Sequence, residues 1–423
     1  MAPDPITSGP NPPKAPPGVE RRVWGRFPPT PATTVPPTVA QDTLWTTLAK
    51  AVPDAYRQGR YDDVEKQFLA AINEAEKLDP CDLRLASSLN DLGGLYLAQG
   101  KYALSETLCR RSLSILEKAL GPTHVFLATT LNNLGQVYDI QGRYAEAEVL
   151  LTRALDILEK AVGQDDPHVA YTLSLLARVY RTLGRSADAE PLLHRALAIM
   201  ERAHGPDHPE TAFSMGNLAN LYLRQGRYAE AEPLLRRALA IMRRTWGDDH
   251  FEVALCLQRL ALLHDRQGQH RKARPYFKRS LAILEQTLGP DHPEVARSLN
   301  NLAASYQAQE RFDKAEPLLQ QALAILRKAL GPAHAEVTAL LNNLAALHHS
   351  QGEYREAELL YKQALAIREE TLGPDHPQVA SLLSNYAQLL HETGRSAEAR
   401  ALQARARSIQ AETTAGTPVH VHE

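Results

Sequence analysis

The chain has 423 residues, 44% of them hydrophobic and 6% aromatic, with 47 Lys and Arg against 49 Asp and Glu. A formal net charge of −2 excludes a general binder of nucleic acid or of anionic membrane, since both need a cationic excess. Cys81, Cys109 and Cys256 lie far apart in apolar periodic segments, which is no disulfide framework and fits free thiols in a reducing compartment. No run of about 18 apolar residues marks a membrane span, and the opening residues lack a secretory apolar stretch. The expected setting is cytoplasmic.

Twelve of the 28 prolines fall within residues 1–40. Pro removes backbone donors, and so few apolar side chains cannot offset the entropy of ordering. Residues 1–40 are expected to be a disordered, Pro-rich tail. One island, RRVWGRF from Arg21 to Phe27, carries Trp24. It reads as a chance aromatic or as a short docking motif.

From residue 41 the chain repeats. A turn glycine recurs at Gly59, Gly100, Gly142, Gly184, Gly226 and Gly268, then Glu310, Gly352 and Gly394, at a period of 42 residues after a first step of 41. A fixed period of this size signals stacked units, each burying its apolar face against the next. Each unit holds two helical patterns. In the first, Leu299, Leu302, Ala303 and Tyr306 trace one face at i, i+3, i+4, i+7. In the second, Ala315, Leu319, Ala322, Leu323 and Leu326 form a stripe. Turns such as Gly289–Pro293 suit a left-handed cap followed by a new helix start. No strand alternation is present. The fold class expected is all-α, a solenoid over 41–410 with a disordered end over 411–423. Pro53 should kink or shorten the first helix, and Arg407 should sit on a solvated terminal cap.

These units resemble tetratricopeptide repeats. Leu131-Asn132-Asn133-Leu134-Gly135 with Tyr138 matches the first-helix pattern, and Ala147 with Leu151 or Ala273 with Phe277 matches the second. The 42-residue period resembles the repeats of kinesin light chain and its bacterial homologues. The resemblance implies a right-handed α-solenoid of nine units that serves as a protein-interaction scaffold. Kinesin light chain also carries an amino-terminal heptad region; residues 1–40 hold no heptads, which argues against a motor subunit.

Candidate chemistry is sparse. His124, His208, His250, His292, His334 and His376 recur between units, but two helices separate successive loops, too far to share one metal. They are expected to structure the loops. His264 and His348 fill a slot held elsewhere by Tyr138 or Tyr306 and read as core substitutes. No nucleophile elbow, phosphate loop or zinc-protease motif is present, so no catalytic residue, metal or cofactor is expected.

The polar residues that periodicity does not require lie on the first helix. Asn90, Asn132, Asn300 and Asn342 share one position; Asn133, Asn217, Asn301, Asn343 and Asn385 share the next. Asn is a middling helix former, so its recurrence needs a cause. The resemblance implies that these amides line a concave groove and bond the backbone of an extended peptide. The alternative is that some tie neighbouring helices together. Arg178, Arg181, Arg224, Arg259, Arg266 and Arg297 are further groove candidates, opposed by Asp139 and Asp265. They point to an acidic peptide segment, because Arg pairs carboxylates bidentately. The lysines of the chaperone-type carboxylate clamp are replaced by Asn90, Asn132 and Asn300. The function expected is a non-catalytic adaptor binding a protein or peptide partner, with a peptide-sensing regulator as the second reading.

Overall fold

The structure, a computed structural model, describes residues 61–78 and 82–415. The expected tail over 1–40, the Trp24 island, Pro53 and Cys81 lie outside the described residues. In chain order the helices are α1 Tyr61–Leu78, α2 Leu83–Ala98, α3 Tyr102–Leu120, α4 Leu127–Ile140, α5 Tyr144–Val162 and α6 Pro167–Thr182. They continue as α7 Ser186–His204, α8 Pro209–Arg224, α9 Tyr228–Trp246, α10 Phe251–Arg266, α11 His270–Leu288 and α12 Pro293–Gln307. The last are α13 Phe312–Leu330, α14 Ala335–Ser350, α15 Tyr354–Leu372, α16 Pro377–Glu392 and α17 Ser396–Ala415. No strand occurs among the described residues. The last helix runs past the expected limit at 410, because Ala411 and Glu412 favour helix and the first breaker is Gly416. Arg407 is exposed, as a terminal cap requires.

Each even-numbered helix packs on the odd-numbered one that follows. Neighbouring even-numbered helices also touch, as α4 with α6, whereas no two odd-numbered helices meet to that extent. The array therefore curves with the even-numbered helices inside. Close pairing needs small residues at the crossing. A Cβ added at Gly135 would stand 2.8 Å from Leu151, and Ala219, Ala303 and Ala345 at the same position are wholly buried.

The recurrent histidines cap the inner helices. Nδ1 of His208, His250, His292, His334 and His376 accepts from the N–H two residues on, at 3.1–3.3 Å. Asp82 and Asp166 do the same through a carboxylate oxygen. An imidazole nitrogen thus replaces the usual side-chain oxygen of an N-cap.

The QGRY and EAE segments build a ladder along the turns that follow the inner helices. Arg143, Arg185 and Arg227 stack on Tyr138, Tyr180 and Tyr222, 3.8–4.2 Å from the ring centres. Each also pairs with one carboxylate of its own unit and one of the unit before. Arg185 holds Asp188 at 2.7 Å and Glu148 at 3.2 Å; Arg227 holds Glu230 at 2.7 Å and Glu190 at 2.6 Å. Arg143 does so with Glu146 and Glu106, and Arg395 with Glu398 and Glu358.

The superhelix closes on itself. His376 Nε2 donates to the Ile140 carbonyl at 3.0 Å across 236 residues of sequence, while its Nδ1 accepts from Gln378. These two bonds fix the tautomer. Gly142 lies against His376 and Pro377, and Gly100 against His334, so close that a Cβ at Gly100 would come within 2.4 Å of the His334 ring. Both glycines also have φ above +70°. His334 and His376 are 8% and 4% exposed, whereas His208 and His250, away from this seam, are half-buried. Arg368 backs the seam at a position that is apolar in other units, such as Leu326. It is 7% exposed and donates to the Ala335 carbonyl at 3.0 Å, with Thr338 and Gln378 as further partners.

Candidate partner-binding groove

Both asparagine series lie on the even-numbered helices, where the two series meet. Asn133 Nδ2 donates to Asn90 Oδ1 at 3.0 Å, Asn343 to Asn300 at 2.8 Å and Asn385 to Asn342 at 3.0 Å. Each bond links the second series of one unit to the first series of the unit before. Asn132 instead donates to Thr172 at 2.9 Å. These amides therefore do tie adjacent inner helices, and every such bond uses one donor and one acceptor.

Exposure separates the two ends of the series. Asn90, Asn132 and Asn133 are 5–6% exposed, whereas Asn217, Asn300, Asn301, Asn342 and Asn343 are half-buried and Asn385 is exposed. The later set therefore keeps amide surface accessible, while the first three are covered. Asp91 holds the second-series position in unit two, which composition did not single out but alignment of the units reveals. Burial pushes its carboxyl up to about 7, against a hydrogen bond from Asn90.

Of the six arginines, three gather. Arg178 Nε lies 2.8 Å from Asp139 Oδ2. Burial, with the guanidinium groups of Arg224 and Arg178 beside it, draws Arg181 down to about 10. Like charges this close disfavour the protonated form, and an anion would restore it. The other three are placed differently. Arg297 is committed to Glu336, at 2.6 and 2.7 Å, and to Glu294. Burial lowers Arg259, with Cys256 and Glu252 of its own helix opposing the shift. Arg266 stands exposed at the end of α10. Asp265 is taken by His270, at 2.7 Å, and by Ser305.

Spacing along α12 offers Glu294 to Arg297 at i−3, but the second carboxylate, Glu336, comes from the facing turn of α14 and is not readable from that spacing. Among the described residues no group of three or more His, Cys, Asp or Glu is arranged to hold a metal, and no helix is long and apolar enough to cross a membrane. Cys109 and Cys256 are buried, and burial pushes both thiols up to about 12.

A family model described as tetratricopeptide repeat matches residues 84–160, 168–244, 217–286, 253–328, 294–370 and 336–412. Among solved structures, nearly identical TPR-like repeats from Podosopora anserina, named after kinesin light chain, are 32% identical. That match covers 49% of this chain and 98% of the other, with a TM-score of 0.42. Aspartyl phosphate phosphatase F from Bacillus subtilis is 16% identical over 92% of this chain and 99% of its own, with a TM-score of 0.53. The Rap conjugation gene regulator of plasmid pLS20, in complex with the Phr* peptide, is 16% identical over 86% and 98%, also with a TM-score of 0.53. At that identity the last two share a fold with this chain and no more. No curated protein matches the chain.

Proposed function

Because the chain belongs to the tetratricopeptide-repeat family, we propose that its concave groove holds an extended segment of a partner protein and that it works as a non-catalytic scaffold. The reading gives it no catalytic step, cofactor or metal, and places it in the cytoplasm, in keeping with its buried free thiols.

One observation carries the finer part of the proposal. Arg178, Arg181 and Arg224 crowd together on two adjacent inner helices beside the single carboxylate of Asp139. Crowding cations costs free energy unless an anion joins them, so an acidic side chain of the partner belongs here. The half-buried amides of Asn217, Asn301 and Asn343 lie on the same concave face, where they suit a peptide main chain, which offers both donors and acceptors.

A random-peptide library selected on the full chain tests this reading. Asp and Glu should be enriched, and each of Arg178→Gln, Arg181→Gln and Arg224→Gln should weaken the selected peptides by about tenfold, the loss of one charge-assisted hydrogen bond. Peptides without acidic enrichment, or binding indifferent to all three changes, would reject the acidic segment.

The seam favours a second reading, that of a peptide-sensing regulator. A superhelix whose ends are joined through His334 and His376 has two discrete arrangements, joined and open, and a ligand that prefers one shifts the balance. Small-angle scattering with and without a selected peptide distinguishes the readings: a scaffold keeps its radius of gyration, a sensor changes it.

A further inference from the structure

The ladder of arginines is inverted at one place. In the nodes at Arg143, Arg185, Arg227 and Arg395, one guanidinium sits between the third residue of its own outer helix and the fifth residue of the outer helix before. All eight of those residues are carboxylates. At Arg311 the two positions are held by Lys314 and Arg274. Arg311 keeps its place over Tyr306, 5.3 Å from the ring centre, so the site keeps its cation and loses both anions.

The inversion spreads along α11, where Arg271, Lys272 and Arg274 crowd the first turn and Lys278 follows one turn later. Cations in the first turn oppose the helix dipole, and the equivalent turns of α5, α7 and α9 carry Glu146, Asp188 and Glu230. Among the described residues none of Arg271, Lys272, Arg274, Lys278, Arg311 and Lys314 has an ion-pair partner. Glu310 and Asp313 flank Arg311 in sequence without pairing to it. The edge is also open. The turns at Gly100 and Gly142 are covered by the seam, but nothing approaches within 4 Å of a Cβ built at Gly268 or Gly352.

We propose that this inverted node, Arg274, Arg311 and Lys314 with Lys272 beside it, is a second docking site that takes an acidic segment of a partner protein, outside the concave groove. The intact nodes supply the template. They show a Tyr-stacked guanidinium of this fold satisfied by two carboxylates arriving from separate directions, and a partner's Asp or Glu pair completes the inverted node in the same way. Carboxylates rather than a polyanionic nucleic acid match it, because the patch is one node wide on a chain of net charge −2. The sequence has given up a stabilising pairing here, as happens where a surface serves a partner.

Zero-length cross-linking with a water-soluble carbodiimide reads the site, because it joins carboxylates to lysine amines and leaves arginines untouched. The probe is a hexaglutamate peptide added to the full chain, followed by peptide mapping. The groove cluster holds only arginines, so failure here leaves the groove reading standing, and the reverse holds too. Cross-links should concentrate on Lys314 and Lys272, at least about tenfold above the exposed Lys118 and Lys160. Arg274→Glu, and the milder Arg274→Gln should the first fold poorly, should abolish that excess, with Arg274→Glu also raising the melting temperature by giving Arg311 a partner. Even labelling of all exposed lysines, or an excess that survives both Arg274 variants, would overturn the proposal. So would displacement of hexaglutamate by an equal charge concentration of oligothymidylate, which would make the occupant a nucleic acid.

Discussion

Arg143 and Arg311 hold the same place in units three and seven, and each sits over a tyrosine. Around Arg143 the repeat supplies Glu106 and Glu146, and the guanidinium is satisfied within the chain. Around Arg311 it supplies Arg274 and Lys314. Beneath both, the core is the same: Leu151 and Leu319 occupy equivalent positions and are 0% and 2% exposed. Packing is therefore alike in these two units while surface pairing is not. In a repeat protein the neighbouring units act as an internal control, so a residue that breaks the pairing rule without disturbing the core points away from stability and towards a partner.

The core half of that comparison is tested by the largest effects. Leu151→Ala and Leu319→Ala should each cost about 2–5 kcal/mol, as buried leucines do. Hydrogen exchange should show opening centred on the altered unit, because each unit contacts only its neighbours. Unequal costs in the two units would mean that the core is not uniform.

The seam comes next. His376→Asp keeps the helix cap, since Asp166 caps α6 in the same way, but it removes the donor to Ile140. The orphaned carbonyl costs about 1–3 kcal/mol, and the radius of gyration should rise. His208→Asp, away from the seam, should change neither. Acid should imitate the first variant. Burial, resisted by the bond to Ile140 and assisted by Arg368, holds His376 down to about 4. The closed form thus prefers neutral imidazole, so its advantage is whole above the ordinary value of about 6.5 and is lost as the pH falls towards 4.

Smaller effects divide the nodes. Arg143→Gln should cost up to about 1 kcal/mol by urea denaturation, the upper range for a half-exposed pair. Arg311→Gln should cost less, at most its contact with the Tyr306 ring, because it removes a cation set among cations. Equal losses would show that the inverted node has partners within the chain.

The asparagines give the finest division. Asn343→Ala removes the bond to Asn300 and should cost about 1 kcal/mol, whereas Asn301→Ala should melt at or slightly above the wild type.

Much of this architecture is legible in the residues. The 42-residue spacing, the periodic leucines and the small residue at Gly135 or Ala303 fix the helix pairs, since each is a local or next-neighbour signal. The histidines announce a loop role for the same reason. What spacing does not encode is the pitch of the superhelix, so the contact of His376 with Ile140 is invisible until the array is coiled. The site is legible only in part. Asn300 and Asn343 stand out by composition, yet their mutual bond, and the capture of Arg297 by Glu336, depend on which turn faces which helix. Arg274 and Lys314 carry a clear signal once the units are aligned, because they stand where most other units have acids, Leu104, Lys272 and Arg400 being the exceptions.

The most direct test of groove binding is a hydrogen-exchange footprint of the full chain with a selected peptide, alongside titrations of Arg181→Gln and Asn301→Ala. Groove binding predicts protection along the inner helices α6 to α14, affinity weakened by about tenfold in each variant, and melting temperatures at or above the wild type. Protection confined to the outer helices, or wild-type affinity in both variants, would contradict it.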